Sequence, residues 1–233
     1  MTERQPTRSN VDPQEQWYSH NIGPKNAVVA DVGANVGRLS QFFWEQGGGT
    51  CEIVSIEPLS ENIAAITKRI EQSGANNWTV QPFAAFDHDG ELELSVFPEP
   101  QLGWNATVVK PGQRGRIVSC RRLSGMVPNA TIVKIDVEGH EYAILSESLD
   151  RLVHVHTWAL ELHMVAEHPL ETTLRSFVDR GFSLVAAGRT ANNASGAWMN
   201  VPVGPELSWA RIPVAQIRHD GSIFKMLHVI ARR

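Results

Sequence analysis

Two rhythms of apolar and polar positions run through the chain. Short β-branched runs stop at acidic residues, and stretches with apolar residues three and four apart follow them. Val28-Val29-Ala30-Asp31-Val32 enters the turn Gly33-Ala34-Asn35-Val36-Gly37, and Leu39, Phe42 and Phe43 then recur at helical spacing. This predicts a buried strand, a tight loop and a helix. Cys51 to Ile56 predicts a second strand ending at Glu57-Pro58. Ser60 to Ser73 predicts a helix with Ile63, Ile66 and Ile70 on one face and Gly74 at its end. Further strands are expected at Trp78–Phe83, Arg116–Cys120, Thr131–Asp136, Thr157–His163, Phe182–Ala186 and Ala197–Val203, with a helix over Leu170–Asp179. Strands alternating with helices in this way predict an α/β domain with a mostly parallel sheet.

Other stretches modify this frame. Asp87-His88-Asp89-Gly90 separates Ala84-Ala85-Phe86 from the alternating Leu92, Leu94 and Val96, which predicts a β-hairpin. Pro98 to Gly115 is rich in proline and glycine and carries Trp104, Asn105 and Thr107. It reads as a long loop and a candidate for substrate contact. Trp17-Tyr18-Ser19-His20-Asn21 clusters aromatics before the first strand, either to pack on the sheet or to cover a ligand. The tail from Leu207 to Arg233 is expected to add a strand or helix at a sheet edge. The division expected is an N-terminal segment at 1–24, one domain at 25–204 and a C-terminal extension packed on it at 205–233.

Length and charge narrow the class. The chain has 233 residues, enough for one sizeable α/β domain, and a net charge of −4, which gives no basic footprint for nucleic acid. Cys51 and Cys120 lie in apolar context and are expected as reduced, buried thiols. Residues 1–16 lack the apolar core of a signal peptide, and no apolar run is long enough to span a bilayer, so a cytoplasmic location is expected. The oligomeric state stays open, a homodimer included.

The chemistry gathers at strand ends. The first turn reads Asp31-x-Gly33-x-Asn35-x-Gly37, not the G-x-G-x-x-G of dinucleotide sites. A pyrophosphate would meet the Asp31 carboxylate unfavourably. A ligand with an ammonium and a sulfonium group would be attracted, and the turn's amides can hold a carboxylate. S-adenosylmethionine has all three groups. Glu57, about 20 positions beyond the turn, suits the two hydroxyls of a ribose. The small Ala84 and Ala85 leave room for a flat base. Asp136 ends another strand facing the same crevice, and Glu161 and His163, two apart, share a face. His163, slightly favoured, and His140 are the candidate bases for an acceptor proton. Asp136 and Glu161, with one of those histidines, are candidates to hold a hard cation such as magnesium.

These residues resemble the FkbM-type family of class I S-adenosylmethionine-dependent methyltransferases. The resemblance is carried by Asp31 to Gly37, Ile56-Glu57-Pro58, the Ala84-Ala85 entry and, most specifically, Lys134-Ile135-Asp136-Val137-Glu138-Gly139-His140-Glu141. It covers about residues 25 to 187. It implies a Rossmann-like, seven-stranded, mostly parallel sheet with helices on both faces and one antiparallel strand. It implies methyl transfer to hydroxyl groups of sugars, glycolipids or polyketide-like molecules. By the same resemblance Asp31, Gly33, Asn35 and Gly37 surround the methionine part of the cofactor, and Glu57 holds its ribose. Ala84 and Ala85 border the adenine, and Asp136 lies near the methyl group. The alternatives are a nucleic-acid methyltransferase, disfavoured by the acidic balance, and a non-catalytic module that binds the nucleoside. A nicotinamide dehydrogenase is disfavoured by the glycine spacing.

Overall fold

The computed structural model describes residues 13–99, 103–109, 114–163, 170–187, 201–203, 215–219 and 222–233. The β-branched runs pair as one sheet. Its centre is formed by β1 (Val28–Val32) and, parallel to it on either side, β2 (Glu52–Ile56) and β8 (Ile132–Ile135). β3 (Trp78–Gln81) extends the β2 side, and β9 (Thr157–His163) the β8 side, both in parallel. β13 (Ser222–Arg232) follows β9 and is antiparallel to it and to β10 (Ser183–Ala187). The seven-stranded order is therefore β3-β2-β1-β8-β9-β13-β10. Two short strands attach to it: β11 (Val201–Val203) pairs with β10, and β12 (Ala215–His219) pairs with β13.

The pleat divides each central strand between two apolar layers. Val29, Ile53, Ile132 and Ala159 face one layer. It is covered by α1 (Pro13–Asn21), α2 (Arg38–Gln46) and α3 (Ser60–Ser73), which contribute Trp17, Tyr18, Phe43 and Ile66. Val32, Ile56, Ile135 and Leu160 face the other. There α5 (Glu141–Ser148) and α6 (Leu170–Asp179) supply Ile144, Leu145, Leu174 and Phe177, and the short α4 (Leu123–Met126) supplies Leu123. Each such side chain contributes roughly 1.5–3 kcal/mol on burial, so the helices are held by their apolar faces. Trp17 and Tyr18 thus pack on the sheet, the first of the two roles open to them. Cys51 and Cys120 are free, buried thiols.

Three expectations are corrected. The tail's strand β13 is interior, because Leu227, Val229 and Ala231 lie in one apolar layer and Ile230 in the other. An edge position would have left one of these neighbours unpaired. Ala84-Ala85-Phe86 (β4) and Gly90–Glu99 (β5) do not form a simple hairpin. β7 (Arg116–Arg122) lies between them, parallel to β4 and antiparallel to β5. The stretch Pro98–Gly115 is no structureless loop, since Gly103–Val108 forms β6 and pairs with β5. The result is a second, four-stranded sheet, β4-β7-β5-β6, built between β3 and β8. Of the strand expected at Ala197–Val203, residues 201–203 are described, and the remainder lies outside the described residues.

Candidate active site

The parallel strands β1, β2, β8 and β9 end on one rim of the sheet, where ligands of open α/β folds bind. The turn after β1 is shaped by backbone alone. Gly33 has φ +71°, and a Cβ there would lie 1.9 Å from the Asp136 carbonyl oxygen, so no side chain fits between the ends of β1 and β8. Asn35 also adopts a positive φ of 51°, and Gly37, at φ 78°, opens α2.

Asp31 is enclosed near the end of β1. Its carboxylate is fully buried, accepts a hydrogen bond from Ser40 Oγ at 2.6 Å and pairs with Lys134 Nζ at 3.2 Å. Lys134, buried in the middle of the sheet, also reaches Asp136 Oδ2 at 3.6 Å and donates to the carbonyls of Gly33 at 3.1 Å and Val32 at 3.4 Å. Burial alone would lower its pKa, but Asp31 and Asp136 outweigh it and raise it, so the ammonium is held charged. In this structure the Asp31 carboxylate, expected from the sequence to attract a ligand's ammonium, is engaged in an internal ion pair. Asp31 balances the cation that ties the Gly33 turn to Asp136.

Glu57 is buried and spans the first two strand ends. Oε2 accepts the Asn35 N–H at 2.9 Å, while Oε1 accepts the Leu59 N–H at 3.0 Å and Asn62 Nδ2 at 3.1 Å. Burial pushes its pKa up to about 7, against these three donors. With two lone pairs per oxygen, Oε2 keeps one acceptor direction open. Ala84 and Ala85 are buried beyond the end of β3.

On the other side of Asp136, side chains of β9 and the β8–α5 loop converge. That loop is bent by Glu138 at φ 55° and Gly139 at φ 103°, and Thr107 Oγ1 of β6 donates to the Glu138 carbonyl at 3.1 Å. Glu141 Oε1 collects the backbone N–H groups of Val137 and Gly139, at 3.2 and 3.0 Å, together with His163 Nδ1 at 2.9 Å. His163 Nε2 points the other way, 3.5 Å from Glu138 Oε2 and 3.9 Å from Glu161 Oε1. Donor atoms of Asp136, Glu161 and His163 lie within 4.8 Å of one another. Burial alone would lower the His163 pKa, but Glu141, with Asp136 and Glu161, lifts it to about 10. Glu161 is pushed well up by burial and by the charge of Asp136, and His228 Nδ1 of β13 stands 3.6 Å from its Oε2.

His140 is half-buried at the start of α5, with its ring centroid 6.1 Å from that of Phe86, and burial lowers its pKa. The rim therefore unites Gly33, Glu57, Asp136, Glu161 and His163, with His140 beside them. Sequence reasoning misses Lys134 as a site-forming group, and it reads Glu141 as a residue that orients the loop or caps the helix without its bond to His163. A cleft of about 460 Å³ lined by Phe83, Ser119, Arg121 and Arg122 lies on the second sheet and includes none of the rim carboxylates.

Comparison with known proteins agrees with this architecture. A precorrin-6y C5,15-methyltransferase from Geobacter metallireducens GS-15 is similar in fold, with a TM-score of 0.51 at 13% identity over 99% of this chain and 94% of that one. A putative tRNA (m1A22) methyltransferase from Streptococcus pneumoniae, solved with S-adenosyl-L-methionine, aligns over 96% of this chain and 74% of its own at 12% identity and a TM-score of 0.48. At 13% identity the likeness to the first of these speaks to the fold alone. No curated protein matches the chain. The model of the methyltransferase FkbM domain matches residues 31–184, from the Asp31 turn to β10, and the chain belongs to the FkbM family of S-adenosylmethionine-dependent methyltransferases.

Proposed function

We propose that the protein transfers the methyl group of S-adenosylmethionine to a hydroxyl of a sugar, a glycan or glycolipid, or a polyketide-like small molecule. The observation that carries this reading is the carboxylate–imidazole cluster Asp136–Glu161–His163 beside the Gly33 turn. A hydroxyl is a poor nucleophile, and a group that draws off its proton raises its reactivity.

The Gly33–Gly37 turn borders the methionine part of the cofactor, the open acceptor direction of Glu57 receives a ribose hydroxyl, and Ala84 and Ala85 flank the adenine. Asp31 acts through Lys134, which fixes Asp136 and the turn's carbonyls. The cofactor supplies an electrophilic methyl carbon. The acceptor oxygen bonds to that carbon as the carbon–sulfur bond breaks, the sulfur keeps the electron pair, and the hydroxyl proton passes to the rim cluster. Alignment of oxygen, carbon and sulfur provides much of the acceleration. The proton acceptor is drawn from this cluster, His163 or a carboxylate beside it, with Glu141 orienting the imidazole. His140 stands next to the acceptor space, without an assigned step.

A labelled-methyl screen tests this, with sugars, glycolipids, polyketide alcohols and tRNA as acceptors. Label on a hydroxyl of one of the first three classes is expected. Label on RNA alone, or cofactor binding with no transfer to any acceptor, would overturn the assignment.

A further inference from the structure

The rim cluster gathers more carboxylates than basic groups. Asp136, Glu138, Glu141 and Glu161 stand round Lys134 and His163, with His228 3.6 Å from Glu161, and Lys134 is already shared with Asp31. Within it one imidazole is built as a ligand is built. The His163 ring is about 95% buried. Its Nδ1 is fixed on Glu141 Oε1 at 2.9 Å, and Glu141 is itself fixed by two backbone N–H groups. Tyr142 donates its hydroxyl to the His163 carbonyl at 2.8 Å, which anchors the end of β9. Nε2 makes no hydrogen bond among the described residues. It stands at ion-pair distance from Glu138 Oε2 (3.5 Å) and Glu161 Oε1 (3.9 Å), and donor atoms of Asp136, Glu161 and His163 lie within 4.8 Å of one another, close enough to share one ion.

We infer that Asp136, Glu161 and His163 bind a divalent first-row transition metal ion, with Glu141 as the carboxylate that orients the histidine. A carboxylate on the far nitrogen is the usual support of a metal-bound imidazole, since it sets the tautomer and raises the ligand's basicity. The imidazole donor also alters the choice of ion. Magnesium prefers an all-oxygen shell, whereas manganese and its neighbours accept two carboxylates and an imidazole. The ion takes the place of the Nε2 proton, which leaves to solvent. Glu161 reaches the site from β9 and Asp136 from the end of β8, so the ion would cross-link two strand ends beside the turn at Gly33. The inference rests on the hydroxyl-methylation reading for its purpose, because a cation at this point acidifies a bound alcohol. It does not rest on that reading for its test.

Manganese(II) provides the probe. The free hexaaqua ion gives an electron-paramagnetic-resonance signal that falls on binding, with no need for cofactor or acceptor. The full-length protein, stripped with chelator, is expected to bind one ion per chain. His163→Gln and Glu161→Gln are expected to weaken binding more than tenfold, and Glu141→Gln by about 10–100-fold through the misplaced ring. Circular dichroism verifies that each variant is folded, and Asp136→Asn provides a second test of the ligand set should one of them not be. No loss of signal with the wild-type protein, or equal binding by folded His163→Gln and Glu161→Gln, would overturn the site. If manganese binds as described while the methyl screen finds no hydroxyl acceptor, the metal site stands and the functional reading falls. Chelator-resistant methyl transfer to a hydroxyl with no manganese bound overturns the metal site and leaves the functional reading standing.

Discussion

Lys134→Met removes the cation on which both halves of the rim depend while keeping the length of the side chain. Lys134 is 2% exposed and its Nζ faces four oxygens: Asp31 Oδ1, Asp136 Oδ2 and the carbonyls of Val32 and Gly33. Without it Asp31, at 0% exposure, keeps the hydrogen bond from Ser40 but has no counter-charge. Removing one partner of a buried ion pair costs about 3–5 kcal/mol, far more than an exposed pair. For a chain of this size that is a fall in Tm of roughly 6–20 °C. Urea unfolding followed by circular dichroism measures the loss directly as a lower midpoint at constant slope. The double variant Asp31→Asn/Lys134→Met removes the stranded charge as well and is expected to recover about 1–3 kcal/mol relative to Lys134→Met alone. A loss below about 1 kcal/mol in Lys134→Met, or no recovery in the double variant, would refute the claim that Asp31 is there to balance the lysine.

Three other outcomes are expected. Gly33→Ala places a methyl group 1.9 Å from the Asp136 carbonyl oxygen at a positive φ, so it should part the ends of β1 and β8. Isothermal titration should find cofactor binding reduced at least tenfold, more than the general loss of stability explains. Glu57, lifted to about 7 by burial, keeps a proton in the folded state that the unfolded chain gives up near its ordinary pKa of 4.5. Its contribution to stability is therefore complete below pH 4.5 and is lost as the pH rises through 7, by up to about 3 kcal/mol. Urea midpoints between pH 5 and 8 should show a component of this sign that Glu57→Gln abolishes. Tyr18→Ala empties a fully buried site against Phe43, with ring centroids 5.7 Å apart, and should cost about 3–5 kcal/mol in the same assay.

The parts of this fold that are legible in the sequence are those whose cause is local. The run Val28–Val32 is apolar on both faces apart from Asp31 because β1 lies at the centre of the sheet, and the glycines at 33 and 37 mark conformations a side chain resists. That Glu57, Asp136, Glu161 and His163 stand at strand ends is read by counting along such runs. The parts not legible depend on distant pairing. Nothing near Ser222–Arg232 says that this strand inserts between β9 and β10, since its partners lie some 40 to 75 positions earlier. β7 separates β4 from β5 by long-range pairing that no turn signal records. The sequence puts Asp31 on β1 but does not reveal its buried partner Lys134. A carboxylate on a strand looks the same in sequence whether it meets a ligand or a lysine one strand away.

The central claim is that the strand-end rim, with Glu57 as the acceptor between β1 and β2, is the cofactor site. Equilibrium dialysis with labelled S-adenosylmethionine tests it without any knowledge of the methyl acceptor. Saturable binding of one molecule per chain is expected for the wild-type protein, weakened at least tenfold by Glu57→Ala in a variant whose circular dichroism is unchanged. Binding of equal strength in both proteins, or none in the wild type, would contradict it.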